Sequence, residues 1–376
     1  MAEPTRASEE NVLTSEEERL PSIVGVVGAG TMGSGIAQVA LEAGCEVVLY
    51  DVDEAAVERG RQRIVEGLAR RAAKLELDLA ALEDWVGARL ERVRHVPTLD
   101  GLADEADLVI ESALEDLALK QTIFATLDDV AGPDIILATN TSALSVAEIA
   151  QATTRPERVI GLHFFNPAPV MALVEVVVPP LADPAVVARA VATVSAWGKT
   201  PVVCADLPGF IVNRVNRPFT IEALRILESG AASVGEIDDA LRAEGFPMGP
   251  FELMDLTGID ITLAAATGVW EGLGRPDRLR PSPIQERLVE AGALGRKTGR
   301  GFYHYVEGRR TDVAETSSNT PSGESLSPPA IRERILAAIA EEARLAAAEG
   351  VATAETIDLA LRLGAGHPHA VVQARP

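Results

Sequence analysis

Three groups of polar side chains lie within otherwise apolar segments and could carry chemistry. His163 is followed twelve residues later by Glu175, Ser142 closes a polar triplet after an apolar run, and Asn213 follows a Pro-Gly turn. A histidine whose ring is held by a carboxylate can act as a general base near neutral pH, because the carboxylate fixes its tautomer and orientation. These residue types therefore favour proton transfer in a cleft. Taken singly, a core role for His163 and a strand-edge role for Glu175 stay open.

A glycine pattern predicts a dinucleotide site near the start of the chain. Gly28, Gly30 and Gly33 match G-x-G-x-x-G between an apolar strand and a helix, and Asp51 ends the next strand. Glycines at these positions permit a tight turn and close approach of a pyrophosphate to a helix amino terminus. A carboxylate at the second strand's end binds ribose hydroxyls and repels a 2′-phosphate, which favours NAD over NADP. FAD uses the same fingerprint and is the competing cofactor. The predicted cofactor contacts here are Gly28, Gly30, Thr31, Met32, Gly33 and Asp51.

Apolar runs alternate with amphipathic segments through the first half of the chain. This alternation predicts an α/β fold with a Rossmann-type doubly wound, mostly parallel sheet. Two long amphipathic segments over 55–94, with no strand between them, predict a helical hairpin inserted into the sheet domain. The chain after Pro208 has helical patterns and predicts an all-α C-terminal domain. Strands are predicted at Ile23–Val27, Cys45–Tyr50, Leu108–Ile110, Ile135–Ala138, Val159–Leu162 and Leu173–Val178.

An internal repeat extends the helical region. Residues 229–242 match residues 349–362 at a constant offset of 120, which predicts that one helical unit is used twice. The second copy is expected to stop matching after His369, to pack on the helical domain and to carry no chemistry. His367 and His369 are expected to be exposed rather than metal ligands. The predicted domains are a disordered tail (1–21), an NAD-binding domain (22–206), a helical domain (207–306), a linker (307–328) and a truncated repeat (329–376).

Composition excludes several classes of function. The chain of 376 residues is 47% apolar and carries a formal charge of −22, which disfavours nucleic acid and anionic membranes as partners. No apolar run is long enough for a membrane helix, and the acidic start does not resemble a signal peptide, so a cytoplasmic protein is expected. Cys45 and Cys204 lack metal-ligand spacing and are expected to be reduced core residues. Residues 59–94 carry nine basic against six acidic side chains, which fits either an anion dock or a solvated helix face.

Taken together, these motifs resemble the L-3-hydroxyacyl-CoA dehydrogenase family of fatty-acid β-oxidation. The similarity covers residues of about 22–306, through the segment Gly295–Tyr303, with several motifs in the family's order. The resemblance implies an NAD-binding domain, a helical domain that forms a homodimer, and an acyl-CoA substrate in the cleft between them. It also implies a reversible oxidation of a 3-hydroxyl to a ketone without a metal.

The resemblance also assigns residues position by position. His163 is implied as the catalytic base and Glu175 as its partner, with Ser142 and Asn213 as polar contacts to the reacting end of the substrate. Lys74 on the inserted hairpin is implied as a contact to CoA, together with Ser142. Gly67 stands where some relatives have a serine that touches CoA, so that contact is in doubt. Further positions implied near the dinucleotide are Glu115, Lys120, Asn140, Ser142, Asn166 and Lys297.

The length of the acyl chain stays open at this point. The duplicated helical unit resembles bacterial members that act on short chains or on dicarboxylic acyl chains, and 3-hydroxybutyryl-CoA is the expected substrate. The alternatives are 3-hydroxyadipyl-CoA, a broad range of chains, or the free hydroxy acids used by sugar-acid relatives. A catalytically silent NAD-binding structural protein is the alternative from a different class, and the presence of Ser142, His163, Glu175 and Asn213 disfavours it.

Overall fold

The computed structural model describes residues 20–76, 78–314 and 325–372. Nearly all of the predicted tail, 1–21, lies outside these ranges. The strands are β1 (Ile23–Val27), β2 (Glu46–Tyr50), β3 (Val93–His95), β4 (Leu108–Glu111), β5 (Ile136–Thr139), β6 (Val159–Phe164), β7 (Leu173–Val178), β8 (Thr200–Ala205), β9 (Tyr303–Val306) and β10 (Arg309–Val313). The helices are α1 (Thr31–Glu42), α2 (Glu54–Ala73), α3 (Leu79–Leu90), α4 (Leu99–Glu105), α5 (Leu117–Val130), α6 (Val146–Ala150), α7 (Pro184–Ala196), α8 (Val212–Val215), α9 (Arg217–Glu228), α10 (Val234–Ala243), α11 (Pro250–Thr257), α12 (Ile259–Gly272), α13 (Pro283–Glu290), α14 (Pro328–Ala348) and α15 (Ala354–Ala365).

Eight strands form one sheet in the order β3-β2-β1-β4-β5-β6-β7-β8. Neighbouring strands are parallel except β6 and β7, which pair antiparallel. The central strands are buried on both faces, as expected where helices cover both sides of a parallel sheet. The predicted fold class, a doubly wound sheet followed by a helical region, is therefore confirmed.

The sequence reading missed several elements of the sheet domain. β3 begins at Val93, so the predicted hairpin range 55–94 includes the first two residues of a strand. The second helix of the hairpin, α3, ends at Leu90. β8 also went unpredicted, because Pro201 within it argues against a strand. This proline is tolerated because β8 is the edge strand, paired on one side to β7.

The predicted linker over 307–328 is partly wrong. β10 lies within it and pairs antiparallel with β9 around Glu307 and Gly308, whose φ angles are 49° and 73°. Two positive φ values in a two-residue connection match the hairpin turn that follows the natural twist of strands. Residues 315–324 of the predicted linker lie outside the described ranges.

The two copies of the helical repeat share more than their sequence. Asp238 accepts hydrogen bonds from the amides of Phe251 and Glu252, and Asp358 accepts them from the amides of Val371 and Val372. Each residue of the second set lies 120 positions after its counterpart. The structural correspondence therefore extends to Val372, past His369, where the sequence match is predicted to end.

The two copies also contact each other reciprocally. The amide of Leu326, just before α14, donates to the carbonyl of Ala231 at 2.9 Å, and the amide of Ala205, before α8, donates to Val351 at 2.9 Å. Ala231 and Val351 are equivalent positions of the two copies. α14 packs along α9, and α15 contacts both α8 and the edge of the sheet at β7 and β8. The second copy therefore packs on the sheet domain as well as on the helical domain.

His367 is buried at this junction, which corrects the expectation that it is exposed. Its side chain is 3% exposed, its Nε2 lies 2.8 Å from Asn216 Oδ1, and its ring meets the Phe246 ring edge-on. The imidazole of His369 is 72% exposed. Within the described ranges, no group of three or more potential metal ligands is found, and no helix has the length and hydropathy needed to cross a bilayer. Both cysteines are buried and free.

Candidate active site

His163 and Glu175 face each other across neighbouring strands. They are register partners in the antiparallel pair β6 and β7, and Nδ1 of His163 lies 2.6 Å from Oε2 of Glu175. The two residues are 6% and 0% exposed. A chain reversal between the strands explains the spacing of twelve residues, since opposed side chains on one face of a sheet lie close together.

Glu175 is also tied to the start of the helical region. Its Oε1 accepts hydrogen bonds from the amides of Ile211 at 3.1 Å and Val212 at 2.9 Å. Phe210 precedes them with a φ of 48°, a left-handed conformation that costs energy for a residue with a side chain. The Pro208-Gly209 turn signalled a junction here, but the sequence reading did not identify these two amide donors.

This arrangement fixes the tautomer of His163. A carboxylate that already accepts two amide hydrogens is an acceptor, so Nδ1 of His163 carries the proton and Nε2 carries the free lone pair. The ring is held between aromatic neighbours, 4.5 Å from the Phe165 ring and 5.8 Å from the Phe210 ring, centroid to centroid. An oriented neutral imidazole of this kind can take a proton from a hydroxyl placed at Nε2.

Ser142 and Asn213 are brought together from the two sides of the domain junction. Nδ2 of Asn213, on α8, donates to the backbone carbonyl of Ser142 at 3.0 Å, after the end of β5. In doubly wound sheets, ligands bind at the carboxyl ends of the strands. The pair therefore forms a polar bridge between the carboxyl end of β5 and the start of the helical region.

Glu115 holds Ser142 in position. Its Oε1 accepts from the Ser142 amide at 2.9 Å, the Ser142 hydroxyl at 3.2 Å and the Thr141 hydroxyl at 2.7 Å. Burial raises the pKa of Glu115, but the bond from Thr141, the charge of Lys120 and the bonds from Ser142 outweigh burial and leave that pKa below its ordinary value. Lys120 is 1% exposed and lies 2.8 and 2.9 Å from the two carboxylate oxygens of Glu111. The positive charge of buried Lys120 thus lowers the pKa of Glu115. A direct contact between Lys120 and a dinucleotide stays a prediction.

The glycine turn between β1 and α1 has the shape that a dinucleotide needs. A Cβ at Gly28, whose φ is 97°, would lie 2.6 Å from the Ser112 carbonyl oxygen, and a Cβ at Gly33 would lie 1.8 Å from the Gly28 carbonyl oxygen. A Cβ at Gly30 would meet no atom within 4 Å, so this face of the turn is open. Gly30 caps α1 without a side-chain bond, which leaves the first amides of the helix available to an anion. Thr31 and Met32 are the first two residues of that helix.

Asp51 is positioned by the same turn. Its Oδ2 accepts from the Ala29 amide at 2.8 Å and its Oδ1 from the Asp53 amide at 3.2 Å. A carboxylate has about four lone-pair sites, so two remain for ribose hydroxyls. The glycine turn and Asp51, which directly follows β2, therefore fit a dinucleotide with free ribose hydroxyls.

The remaining predicted residues lie around this centre with different contacts. Asn140 joins β5 to β6, because its Oδ1 accepts from the Phe164 amide at 2.8 Å. Asn166 is exposed on the segment after β6, and Lys74 is exposed at the end of α2. Lys297 pairs with Asp260 of the helical region at 2.6 Å. The roles assigned to Asn140, Asn166, Lys74 and Lys297 stay predictions.

Two arginines near the site were missed. Arg63 of α2 lies 3.4 Å from the carbonyl oxygen of Ala29 in the glycine turn. Arg217 begins α9, one helical turn after Asn213, and is 8% exposed. The spacing of four residues from Asn213 was the available signal for Arg217, since residues four apart share a helix face.

Comparison with known proteins assigns both halves of the chain. The family model described as 3-hydroxyacyl-CoA dehydrogenase, NAD binding domain, matches residues 23–207. The model described as 3-hydroxyacyl-CoA dehydrogenase, C-terminal domain, matches residues 209–305 and again residues 331–374. The second match coincides with the repeat.

Individual relatives agree with the family models. The chain is 45% identical over 291 residues to 3-hydroxyadipyl-CoA dehydrogenase of Escherichia coli, covering 77% of this chain and 60% of that protein. It is 43% identical over 285 residues to 3-hydroxybutyryl-CoA dehydrogenase of Mycobacterium tuberculosis, covering 75% of this chain and 98% of that protein. The crystal structure of 3-hydroxybutyryl-CoA dehydrogenase from Escherichia coli superposes with a TM-score of 0.84 at 34% identity, covering 93% of this chain and 90% of that one.

Proposed function

The chain belongs to the 3-hydroxyacyl-CoA dehydrogenase family, and on that premise we propose that it oxidises (S)-3-hydroxyacyl-CoA to 3-ketoacyl-CoA with NAD, reversibly. The observation that carries the proposal is the 2.6 Å contact between His163 and Glu175 beside the bridge of Ser142 and Asn213. The proposed base and oxygen-binding groups are thus near the carboxyl ends of β5 and β6, in the same parallel part of the sheet whose strand β1 leads into the glycine turn.

The chain's own residues supply the acid-base part of this reaction. Nε2 of His163 accepts the proton of the 3-hydroxyl, and the carboxylate of Glu175 stabilises the imidazolium that forms. Ser142 and Asn213 orient the substrate oxygen, which keeps C3 in line for reaction. Held at the glycine turn and Asp51, NAD would supply the acceptor for the hydride of C3. In the reverse direction, His163 returns the proton to the ketone oxygen.

We assign the CoA part of the substrate to the inserted hairpin. Lys74 is exposed at the end of α2, in a segment with a local excess of basic side chains, and an ammonium there suits a phosphate. For the acyl part, we propose a short chain, with 3-hydroxybutyryl-CoA as the first substrate to test. The relatives named for 3-hydroxybutyryl-CoA and 3-hydroxyadipyl-CoA support a short chain.

We propose residence in the cytoplasm, and a single chain as the assembly state in place of the homodimer through the helical domain that the resemblance implies. The homodimer meets a structural limit, because α14 of the same chain already covers part of α9. A dimer would therefore use a different surface of the helical domain.

The proposed function is tested by following NADH consumption with a series of 3-ketoacyl-CoA substrates of four to sixteen carbons. We expect activity that falls steeply beyond short chains, and a loss of about 10²-fold or more in turnover for His163→Ala with NAD affinity unchanged. His369→Ala, an exposed histidine far along the chain, is the matched control. Near-normal turnover of His163→Ala, or equal turnover of substrates without CoA, would contradict the proposal.

A further inference from the structure

Arg217 is a buried cation for which the described part of the chain provides no acidic partner. Its side chain is 8% exposed, and within the described ranges its one side-chain hydrogen bond runs from Nε to the backbone carbonyl of Asn213 at 3.2 Å. Burial alone lowers the pKa of Arg217 to about 10, and no nearby carboxylate raises it. The guanidinium therefore lacks a countercharge from the parts of the chain that the structure describes.

Arg214, three residues earlier, shows how this fold treats a buried arginine that serves structure. Its Nε lies 2.8 Å from Glu342 and its Nη1 lies 2.7 Å from Glu349. Burying an unpaired charge is costly, and structural charges in protein interiors are normally paired in this way. The contrast indicates that Arg217 receives its countercharge from a ligand.

The position of Arg217 indicates which part of a ligand supplies this countercharge. Asn213 and Arg217 are four residues apart, and Asn216 between them keeps a helical conformation, so the two side chains share a face and lie about 6 Å apart along the axis. The bond from Nε to Asn213 holds the guanidinium back toward the Asn213 turn. Asn213 in turn reaches across the domain junction to Ser142. The positive charge thus lies just beyond the groups assigned to the reacting oxygen.

We propose that Arg217 binds the terminal carboxylate of a 3-hydroxyacyl-CoA whose acyl chain ends in an acid group, so that this chain is selective for dicarboxylic substrates. The inference rests on the proposed function and changes its expected acyl chain, because a site built for a terminal carboxylate makes 3-hydroxybutyryl-CoA a weaker substrate than a short dicarboxylic chain. A guanidinium presents two parallel N–H donors that match a carboxylate, and a buried pair of this kind discriminates strongly against an uncharged chain end. In a six-carbon acyl chain, the terminal carboxyl carbon lies three bonds beyond C3. This short distance is compatible with the one helical turn that separates Asn213 from Arg217.

The test compares two substrates of equal length, 3-hydroxyadipyl-CoA and 3-hydroxyhexanoyl-CoA, which differ only in the terminal carboxylate. We expect the wild-type chain to favour the adipyl substrate in kcat/KM by about 10-fold or more. Arg217→Met should lower kcat/KM for 3-hydroxyadipyl-CoA by about 10²-fold, the scale for removing one partner of a buried charge pair, and leave the hexanoyl substrate within about 3-fold. Arg217→Lys should retain part of the preference, because it keeps the charge but loses the paired donors.

Arg225→Met is the matched control. Arg225 lies two turns further along α9 and pairs with Glu222, so its loss should leave the preference between the two substrates unchanged. Inhibition by adipyl-CoA and hexanoyl-CoA, which lack the hydroxyl, measures the same preference without turnover and serves if a variant is inactive. If Arg217→Met folds poorly, the preference of the wild-type chain for the adipyl substrate and the preference of Arg217→Lys still test the proposal.

Three results would overturn the inference. One is a wild-type chain that treats the two substrates alike. Another is a variant in which both substrates lose activity equally, which would show a structural role. The third is an equal rise in KM for both, which would place a CoA phosphate at Arg217. Failure of the wild-type chain to oxidise either substrate would instead defeat the proposed function itself.

Discussion

Arg214 and Glu342 form a buried ion pair between the two copies of the helical repeat, with Nε 2.8 Å from Oε1 and exposures of 0% and 1% for the two side chains. The equivalent residues 120 positions away, with the roles exchanged, are Arg334 and Glu222, and they also pair, at 3.0 Å. Each copy thus gives its arginine to the other copy's glutamate. Such reciprocity defines an approximate twofold relation, as at the interface of a symmetric dimer.

Glu342→Gln should destabilise the fold strongly. Glu342 also accepts from Arg278 at 2.7 Å, so its loss removes a charged partner from two guanidinium groups, of which Arg214 keeps Glu349. Breaking a buried pair on one side costs about 3 to 5 kcal/mol of unfolding free energy. Chemical denaturation measures it, with Glu341→Gln as control, because Glu341 is exposed and pairs with exposed Arg344. Equal stability of the two variants would show that the pair contributes nothing.

The reciprocal contacts also predict the assembly state. A face of α9 that would be free in a chain with one helical unit is covered here by α14 of the same chain. We expect light scattering with size-exclusion chromatography to give a mass near the 39.6 kDa of one chain. A stable mass of twice this value would instead support the homodimer, and cross-linking would then locate its surface.

Glu175→Gln should lower turnover by about 10²- to 10⁴-fold while NAD binding is unchanged. A glutamine oxygen can still accept from the amides of Ile211 and Val212, but its NH₂ group would then face Nδ1 of His163 and favour the wrong tautomer. Steady-state kinetics and NADH fluorescence titration measure the two quantities. Glu157→Gln, exposed just before β6, should behave as the wild type. Wild-type turnover in Glu175→Gln would exclude the dyad.

Local patterns in the sequence were enough to predict the sheet and the dinucleotide turn. The glycines at 28, 30 and 33 act through backbone sterics, and the buried strands have apolar runs, so both signals lie within a few consecutive residues. The pairing of His163 with Glu175 needed an additional assumption, since only the antiparallel register of β6 and β7 makes them opposed.

Contacts between distant parts of the chain were not predictable in the same way. His367 looks like a polar residue near a terminus, and only the packing of the second copy against Asn216 and Phe246 buries it. Arg214 and Arg217 are arginines of the same short segment, yet among the residues that the structure describes only Arg214 has an acidic partner. That difference depends on where Glu342 and Glu349 arrive in three dimensions.

Asp51→Asn should shift cofactor use toward NADP. The amide oxygen can still accept from the Ala29 amide, which preserves the turn, while the negative charge that repels a 2′-phosphate is removed. We expect the ratio of kcat/KM for NAD to that for NADP to fall by about 10-fold or more. Asp53→Asn is the control, because the Asp53 carboxylate caps α2 and pairs with Arg59. An unchanged ratio would remove Asp51 from the ribose site.

His367 should make stability depend on pH in the mildly acidic range. Burial lowers the pKa of His367 from 6.5 to about 4, against the opposing charge of Asp358. Because the folded pKa is the lower one, the unfolded chain binds the proton first, so the stabilisation is complete above pH 6.5 and is lost as pH falls toward 4. The full effect corresponds to about 3 kcal/mol.

Two buried carboxylates act in the opposite direction over the same range. Burial raises the pKa values of Asp238 and Asp255 to about 6, against the hydrogen bonds that each accepts, so their ionisation costs stability above that pH and the cost disappears on acidification. The wild-type profile alone therefore hides the contribution of His367. The difference in unfolding free energy between the wild type and His367→Gln isolates it, since both proteins contain the two aspartates. This difference should shrink by about 2 kcal/mol or more between pH 7 and pH 4.5. His369→Gln, at an exposed histidine, is the control. A constant difference for His367→Gln would mean that the imidazole titrates alike in the folded and unfolded chain.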